Sequence, residues 1–334
     1  MSKAFIQDIV IHTPTKELTN EELSTIFGIP MGEIFRSTGI KKRFLSAPDE
    51  LASDLAVEVG KAFFNKSVIT KDEVDFLLYV TSALDYVGPA TACLIHEQLG
   101  LPKTCAAIDI PMGCSGFTNG LLIAKALVEN GTGKNVLLIT SDMPTKVLHS
   151  EDYHLRALFS DAAAATLISD QGGFLVNEVA YGCDGSGAEN LIIRGSGARN
   201  PVDKEWITKY EKEGGLLIGR MEMDGMEILR FSLREVPTLL NELLEKNNLS
   251  KDDIDLFIFH HASDIVIRFL SRKMNISSEK VFTCLEDFGN TVSASIPIAI
   301  HEAKKAGVIK ANSVIFIAGF GIGYSWSGTI LKTE

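Results

Sequence analysis

The chain repeats itself, and that repeat limits the folds open to it. TKDEVDFLLYVTSA at 70–83 lines up with SKDDIDLFIFHHAS at 250–263, an offset of 180 residues. GCSGFTNGLLIAKALVENG at 113–131 lines up with GNTVSASIPIAIHEAKKAG at 289–307, an offset of 176, and GKNVLLI then matches ANSVIFI. Three matches in one order at nearly constant spacing identify an internal duplication. VDFLLYVTS and KNVLLITSD are near-continuous apolar runs, as in strands buried on both faces of a parallel sheet, and helical periods alternate with them. The expected fold is therefore α/β, built from two equivalent halves, 1–170 and 171–334, packed as a pseudo-symmetric pair.

The duplication also places side chains. TCAAIDI reads as a buried strand, broken by Pro111 and Gly113, and from Ser115 the period turns helical with Phe117, Leu121, Ala124 and Val128 on one face. Cys114 thus falls on a tight strand-to-helix turn, where unpaired N–H groups and the helix dipole favour a thiolate. In the repeat, Cys114 faces Asn290 and Val80 faces His260. Equivalent strand ends of a two-fold pair meet near its axis, so Cys114, His260 and Asn290 are expected in one pocket. A cysteine nucleophile accepts an acyl group from a thioester, while a neutral histidine and an asparagine amide offer N–H donors to a developing enolate. The turn GFGIGYSW supplies Gly321 to the pocket and a backbone N–H at Ile322, which joins that of Cys114 in an oxyanion hole. Singly, each has an ordinary explanation: a small buried cysteine, a helix cap at Asn290, core histidines at His260 and His261, a plain turn at GFGIG. Together they favour catalysis.

Composition narrows the function. A net charge of -11 argues against a general nucleic-acid binder and against an anionic membrane surface. No apolar run approaches a membrane span, and MSKAFIQDIVIHTP lacks the apolar core and cleavage site of a signal peptide. Five scattered cysteines without a CxxC fit reduced thiols in the cytoplasm, not a disulfide framework or a zinc site. Along the rest of the chain, a helix is expected from Pro89 to Leu99. The segment 182–224, with Trp206 and LLIGRMEM, reads as a surface excursion or pocket cover. A long amphipathic helix follows, with an interruption near Pro237.

At this point the chain resembles the thiolase-fold condensing enzymes, most closely β-ketoacyl-[acyl-carrier-protein] synthase III. The resemblance runs through STGIKKRF, GCSGF, LFSDAAAATLI, HHAS, GNTVSAS and GFGIGYSW. It implies a five-layer αβαβα fold, a homodimer, and a Cys–His–Asn triad of Cys114, His260 and Asn290. It also implies a ping-pong decarboxylative Claisen condensation with no cofactor and no metal. An acyl thioester loads Cys114, and a malonyl thioester on acyl carrier protein loses CO2 and attacks it. The family's phenylalanine at the glycine turn corresponds to Phe320. Thiolysis is disfavoured because the C-terminal glycine loop lacks a second cysteine.

Departures from the family pattern point to a specialised member. Glu33 and Ser37 stand where the resemblance implies a Trp and an Arg that hold coenzyme A, a further Arg is missing near Tyr153, and Ile265 replaces the Arg of the histidine motif. His261 and Ser263 alter the shell around His260. Loss of stacking and cationic groups weakens coenzyme A binding in that mode, so a carrier-protein donor and a secondary-metabolite or surface-glycan product are expected. Arg268, Arg272 and Lys273 are candidates for docking the acidic carrier, with a solvated basic helix face as the plain alternative. Two other functions stay open: acyl transfer without decarboxylation, which would not need Asn290, and a non-catalytic subunit of a heteromeric synthase, which would not need an intact triad.

Overall fold

The structure is a computed structural model that describes residues 2–67, 69–195, 197–205, 207–208 and 220–334. Trp206 and the 209–219 part of the expected excursion lie outside the described residues. The first half lays Phe5–His12 (β1), Phe76–Val80 (β4), Ala106–Ile110 (β5), Asn135–Asp142 (β6) and Ala162–Ser169 (β7) into the order β5-β4-β6-β7-β1. Lys16–Thr19 (β2) and Lys42–Leu45 (β3) form a separate antiparallel pair. The second half contributes Phe174–Cys183 (β8), Leu256–Phe259 (β11), Val314–Gly321 (β12) and Ser325–Thr333 (β13) in the order β8-β13-β12-β11. Both halves keep the same strand directions: β4 is parallel to β6, which is antiparallel to β7, and β11 is parallel to β12, which is antiparallel to β13. A parallel bridge from Phe257 to Val281 stands where the first half has β5. The two sets of strands join through a short β1–β8 pairing, Phe5 with Leu175 and Ile6 with Phe174.

Two helices lie between the sets. Gly116–Glu129 (α5) packs on β4, β6 and β7 from one side and on β8, β12 and β13 from the other, while Ser295–Lys305 (α10) touches β1, β7, β11 and β12. The reason is legible in α5: Phe117, Leu121, Ala124 and Val128 are all buried, and full burial of each Phe, Leu or Val is worth about 1.5–3 kcal/mol. Gly116 lets the helix start close to β4, since a Cβ there would sit 2.4 Å from Val80 Cγ1. Ala52–Phe64 (α3) and Thr91–Leu99 (α4) cover the outer face of the first sheet; Gly225–Lys246 (α7), with Asp264–Lys273 (α8) against it, covers the second. The layers are αβαβα, as the resemblance implies. Shorter helices, Asn20–Phe27 (α1), Met31–Thr38 (α2), Tyr153–Arg156 (α6) and Leu285–Phe288 (α9), sit at the ends of the sheets.

Several expectations are corrected. β5 is the last strand in its sheet and not a fully buried one: Ala106 is exposed and Ile108 is 44% exposed. Its apolar run anticipated burial on both faces, but one edge has no neighbour among the described residues. The helix after Pro89 starts two residues later, where the Asp109 carboxylate accepts from the N–H groups of Thr91 and Ala92 at 2.7 Å each. α7 runs unbroken through Pro237. In the 182–224 segment, Gly182 and Cys183 end β8, and Leu191–Ile193 (β9) pairs antiparallel with Met221–Met223 (β10) over the cleft beside Cys114.

Candidate active site

Cys114 lies one residue before the N-cap of α5, with only 7% of its surface exposed. The end of β12 comes down on it. Gly321 has φ +157, and a Cβ there would sit 2.7 Å from Cys114 Cβ and 2.8 Å from Sγ, so only glycine leaves room for the thiol. The N–H groups of Ile322 and of Cys114 itself both reach the sulfur. They favour the thiolate, but desolvation is the larger effect and pushes the thiol up to about 11. The thiolate expected from the helix terminus is therefore not the resting state: burial wins over the dipole, and Cys114 rests as a thiol.

His260 follows β11, is buried, and meets Phe320 edge-on with ring centroids 5.9 Å apart. Burial, together with the neighbouring His261, lowers its pKa to about 3, so the imidazole is neutral at physiological pH. Its Nδ1 is 2.7 Å from Ser295 Oγ, which also lies 3.0 Å from the Val292 carbonyl. One hydroxyl proton serves one of these acceptors at a time. When Ser295 donates to Val292, it accepts from Nδ1–H, and Nε2 keeps a lone pair. When it donates to Nδ1, Nε2 carries the proton. Ser295 thus permits both tautomers.

Asn290 is held by its neighbours. Its N–H donates to the Leu158 carbonyl at 3.0 Å, and its carbonyl accepts from Ser160 N–H at 2.9 Å. Its side-chain Oδ1 accepts from Val292 N–H at 3.0 Å, which fixes the amide and turns Nδ2 away; one Nδ2 hydrogen goes to the Ala262 carbonyl at 3.2 Å. The second Nδ2 hydrogen is left for a ligand. Val292 itself has φ +52, a left-handed conformation that a β-branched residue holds only when its surroundings impose it.

One cavity of about 70 Å³ is lined by Cys114, His260, Asn290, Phe320 and Gly321, together with Leu191 and Met223 of the β9–β10 pair. The residues expected from the repeat thus share a pocket. Its lining residues Met223, Gly225, Ser263 and Val266 continue into an outer mouth of about 1130 Å³ that also carries Asp152, Glu189, Glu222, Asp224 and Ile265. On the other side of the Cys114 turn, Gly113, Met112, Ile322 and Ser325 border a cleft of about 740 Å³, open past Tyr86 and Val87.

Of the remaining expected residues, Ser263 and Ile265 line the mouth and the others lie outside its lining. Arg268, Arg272 and Lys273 are exposed along α8, with Arg268 paired to Asp264 at 2.8 Å. Glu33 is exposed on α2, and Ser37 Oγ is 3.5 Å from the Tyr153 hydroxyl. His261 is corrected: it is buried, but neither ring nitrogen finds a hydrogen-bond partner among the described residues, and desolvation lowers its pKa to about 4. Sequence reasoning missed Ser295 and Val292. The signal for Ser295 was its place as the first residue of the helix that follows Asn290. Among the described residues no cluster of three or more His, Cys, Asp or Glu is set to hold a metal, and no helix is long and apolar enough to cross a membrane.

Comparison with known proteins agrees with this geometry. Residues 108–185 match the family described as 3-oxoacyl-[acyl-carrier-protein (ACP)] synthase III, and residues 244–333 match its C-terminal region. A β-ketoacyl-[acyl-carrier-protein] synthase III of Bacillus subtilis is 34% identical across 99% of both chains. One from Caldanaerobacter subterraneus subsp. tengcongensis is 32% identical across 96% of this chain and 95% of its own. A solved 3-oxoacyl-(acyl-carrier-protein) synthase III superposes with a TM-score of 0.93 at 36% identity, covering 98% of this chain and 99% of its own.

Proposed function

The chain belongs to the 3-oxoacyl-[acyl-carrier-protein] synthase III family, and from that premise we propose that Cys114, His260 and Asn290 divide its condensing reaction between them. In the first half-reaction Cys114 Sγ attacks an acyl thioester. Its proton passes to the lone pair of His260 Nε2 and on to the departing thiol, while the N–H groups of Cys114 and Ile322 hold the oxyanion. In the second, a malonyl thioester occupies the same cavity. Its carboxylate leaves as CO2, the bonding pair becomes an enolate, and the enolate oxygen is held by His260 Nε2–H and the unused Asn290 Nδ2–H. The enolate carbon attacks the acyl carbonyl, the C–S bond breaks, and the Cys114 thiolate takes up the one proton per turnover that the reaction draws from solvent.

Asn290 carries this reading. Its oxygen is committed to Val292 N–H, so what it offers the cavity is a donor. Acyl transfer without decarboxylation has no use for a donor there. Ile265 and the carboxylates at the mouth support a specialised donor: Arg194 is engaged with Glu189 and Glu222, and a polyanionic coenzyme A meets like charge. A thioester on acyl carrier protein, docked at Arg268, Arg272 and Lys273, brings only the phosphate of its arm into that field. Intact-protein mass after incubation with matched acyl-coenzyme A and acyl-carrier panels tests this, with Cys114→Ala as control. Adducts on Cys114 from the carrier panel support the carrier donor, whereas equal loading from short acyl-coenzyme A sinks it. No adduct from either panel removes the role given to Cys114.

A homodimer and a cytoplasmic location complete the proposal. The open edge of β5 carries exposed Ile108, and the strand's one charge, Asp109, is engaged with the N–H groups that start α4, an arrangement that strand edges retain when another chain covers them. The cleft beside the Cys114 turn takes in Pro111 and Met112, directly after β5, and Val87, so a second copy on that edge would close the primer's acyl space. Five unpaired cysteines fit a reducing compartment.

A further inference from the structure

Asp142, the last residue of β6, is fully buried and accepts four hydrogen bonds. Two come from Ser82, the N–H at 2.8 Å and the hydroxyl at 2.5 Å; two come from Ser293, the N–H at 3.2 Å and the hydroxyl. Ser82 lies just past β4 in the first half. Ser293 lies in the second half, directly after strained Val292, three residues after Asn290 and two before Ser295. One carboxylate thus joins the ends of two first-half strands to the turn that carries the enolate-binding amide and the hydroxyl under His260.

The duplication gives this contact a counterpart. GKNVLLI at 133 matches ANSVIFI at 311, so Asp142 is equivalent to Phe320. At the end of β12, Gly319 and Gly321 close on Ser115 and Cys114. At the end of β6, Asp142 closes on Ser293. Each half therefore grips the other half's turn, once by close backbone packing and once by a buried charge. The second grip is needed because Val292 at φ +52 stores strain that the turn would shed if it were free.

We propose that Asp142 is a positioning residue for the decarboxylation step, holding the 290–295 turn so that Asn290 Nδ2 and His260 address the same substrate oxygen. The proposal rests on the assignment of decarboxylation to His260 and Asn290. In Asp142→Asn, the amide nitrogen cannot accept from the backbone N–H it faces, so that bond is lost, and the serine hydroxyl beside it must turn from donor to acceptor, while size is kept. Ser293→Ala removes one bond and keeps the backbone contact.

The test measures the two half-reactions separately, with hydrogen exchange of the turn, in wild type, Asp142→Asn, Ser293→Ala and Ser82→Ala. Decarboxylation of a malonyl thioester is expected to fall at least about tenfold in kcat with little change in KM for Asp142→Asn, and by less for Ser293→Ala. Acyl loading of Cys114, which uses His260 but not Asn290, is expected to fall by clearly less than decarboxylation. Amide exchange is expected to quicken at 290–295 but not along 116–129. Ser82→Ala removes one of the bonds that hold Asp142 itself and is expected to lower decarboxylation by less than Asp142→Asn does. Unchanged decarboxylation in Asp142→Asn overturns the proposal, as does equal loss of both half-reactions in Ser293→Ala. Should the wild type release no CO2, the assignment to His260 and Asn290 fails instead; the anchor is then judged on exchange alone, and unchanged exchange at 290–295 overturns it.

Discussion

At Cys114, two N–H groups and a helix terminus favour the thiolate, and burial opposes them more strongly. The consequence is measurable. Alkylation of Cys114 by iodoacetamide, followed by peptide mass, should rise about tenfold per pH unit from 7 to 9 without a plateau, because the thiolate is a minor species below about 11. A plateau below pH 7 would show a resting thiolate. His261 gives a second prediction. Its folded pKa of about 4 lies below the ordinary 6.5, so between those values the unfolded chain binds the extra proton, and stability is lost as pH falls through that window. The buried carboxylate of Asp142, raised to about 6, acts with opposite sign between 3.8 and 6. His261→Leu should raise the Tm and flatten its decline below pH 6.5, since two buried nitrogens without a partner among the described residues cost on the order of 1–3 kcal/mol each. An unchanged slope would place the acid sensitivity elsewhere. The chemistry of Cys114, His260 and Asn290 was legible from residue type and repeat; the protonation state of Cys114 was not, because burial depends on β12, which arrives from about two hundred residues away in the chain.

At the scale of elements, the Cys114 turn and the β12 turn act as one unit. Gly321→Ala should leave the fold intact but lower acyl loading about a hundredfold, because a Cβ 2.8 Å from Sγ displaces the nucleophile by a fraction of an ångström or more. Loading at the wild-type rate would mean that the two turns are not in the contact described. Along α8, replacing Arg268, Arg272 and Lys273 by Ala should raise KM for a carrier-bound thioester and weaken its salt dependence while leaving loading from a small acyl thioester unchanged. Equal effects on both would remove the docking role. Helical periods such as that of α5 were legible, because burial on both sides left only one pattern of apolar positions. The continuity of α7 through Pro237 was not, since packing on β8, β12 and β13 overrides the local cost of a proline.

At the scale of the molecule, the repeat already carries the architecture: two halves with the same strand directions, whose turns share one pocket. What it could not show was the unpaired edge of β5, because TCAAIDI reads the same whether its neighbour is another strand of the chain or a second copy. Ile108→Glu should shift the protein from dimer to monomer in sedimentation velocity and lower activity with it; a wild-type monomer at micromolar concentration would contradict the proposed assembly. The account as a whole turns on the coupling of acyl transfer to loss of CO2 at Cys114, His260 and Asn290. Its most direct test is a single incubation of an acyl thioester with malonyl-carrier labelled in the free carboxyl, scored for labelled CO2 and for 3-oxoacyl product. The account predicts equal amounts of both from the wild type, CO2 without product from Cys114→Ala, and a loaded Cys114 with neither from Asn290→Ala. Product formed at the wild-type rate by Asn290→Ala, or acyl transfer by the wild type with no CO2, would contradict it.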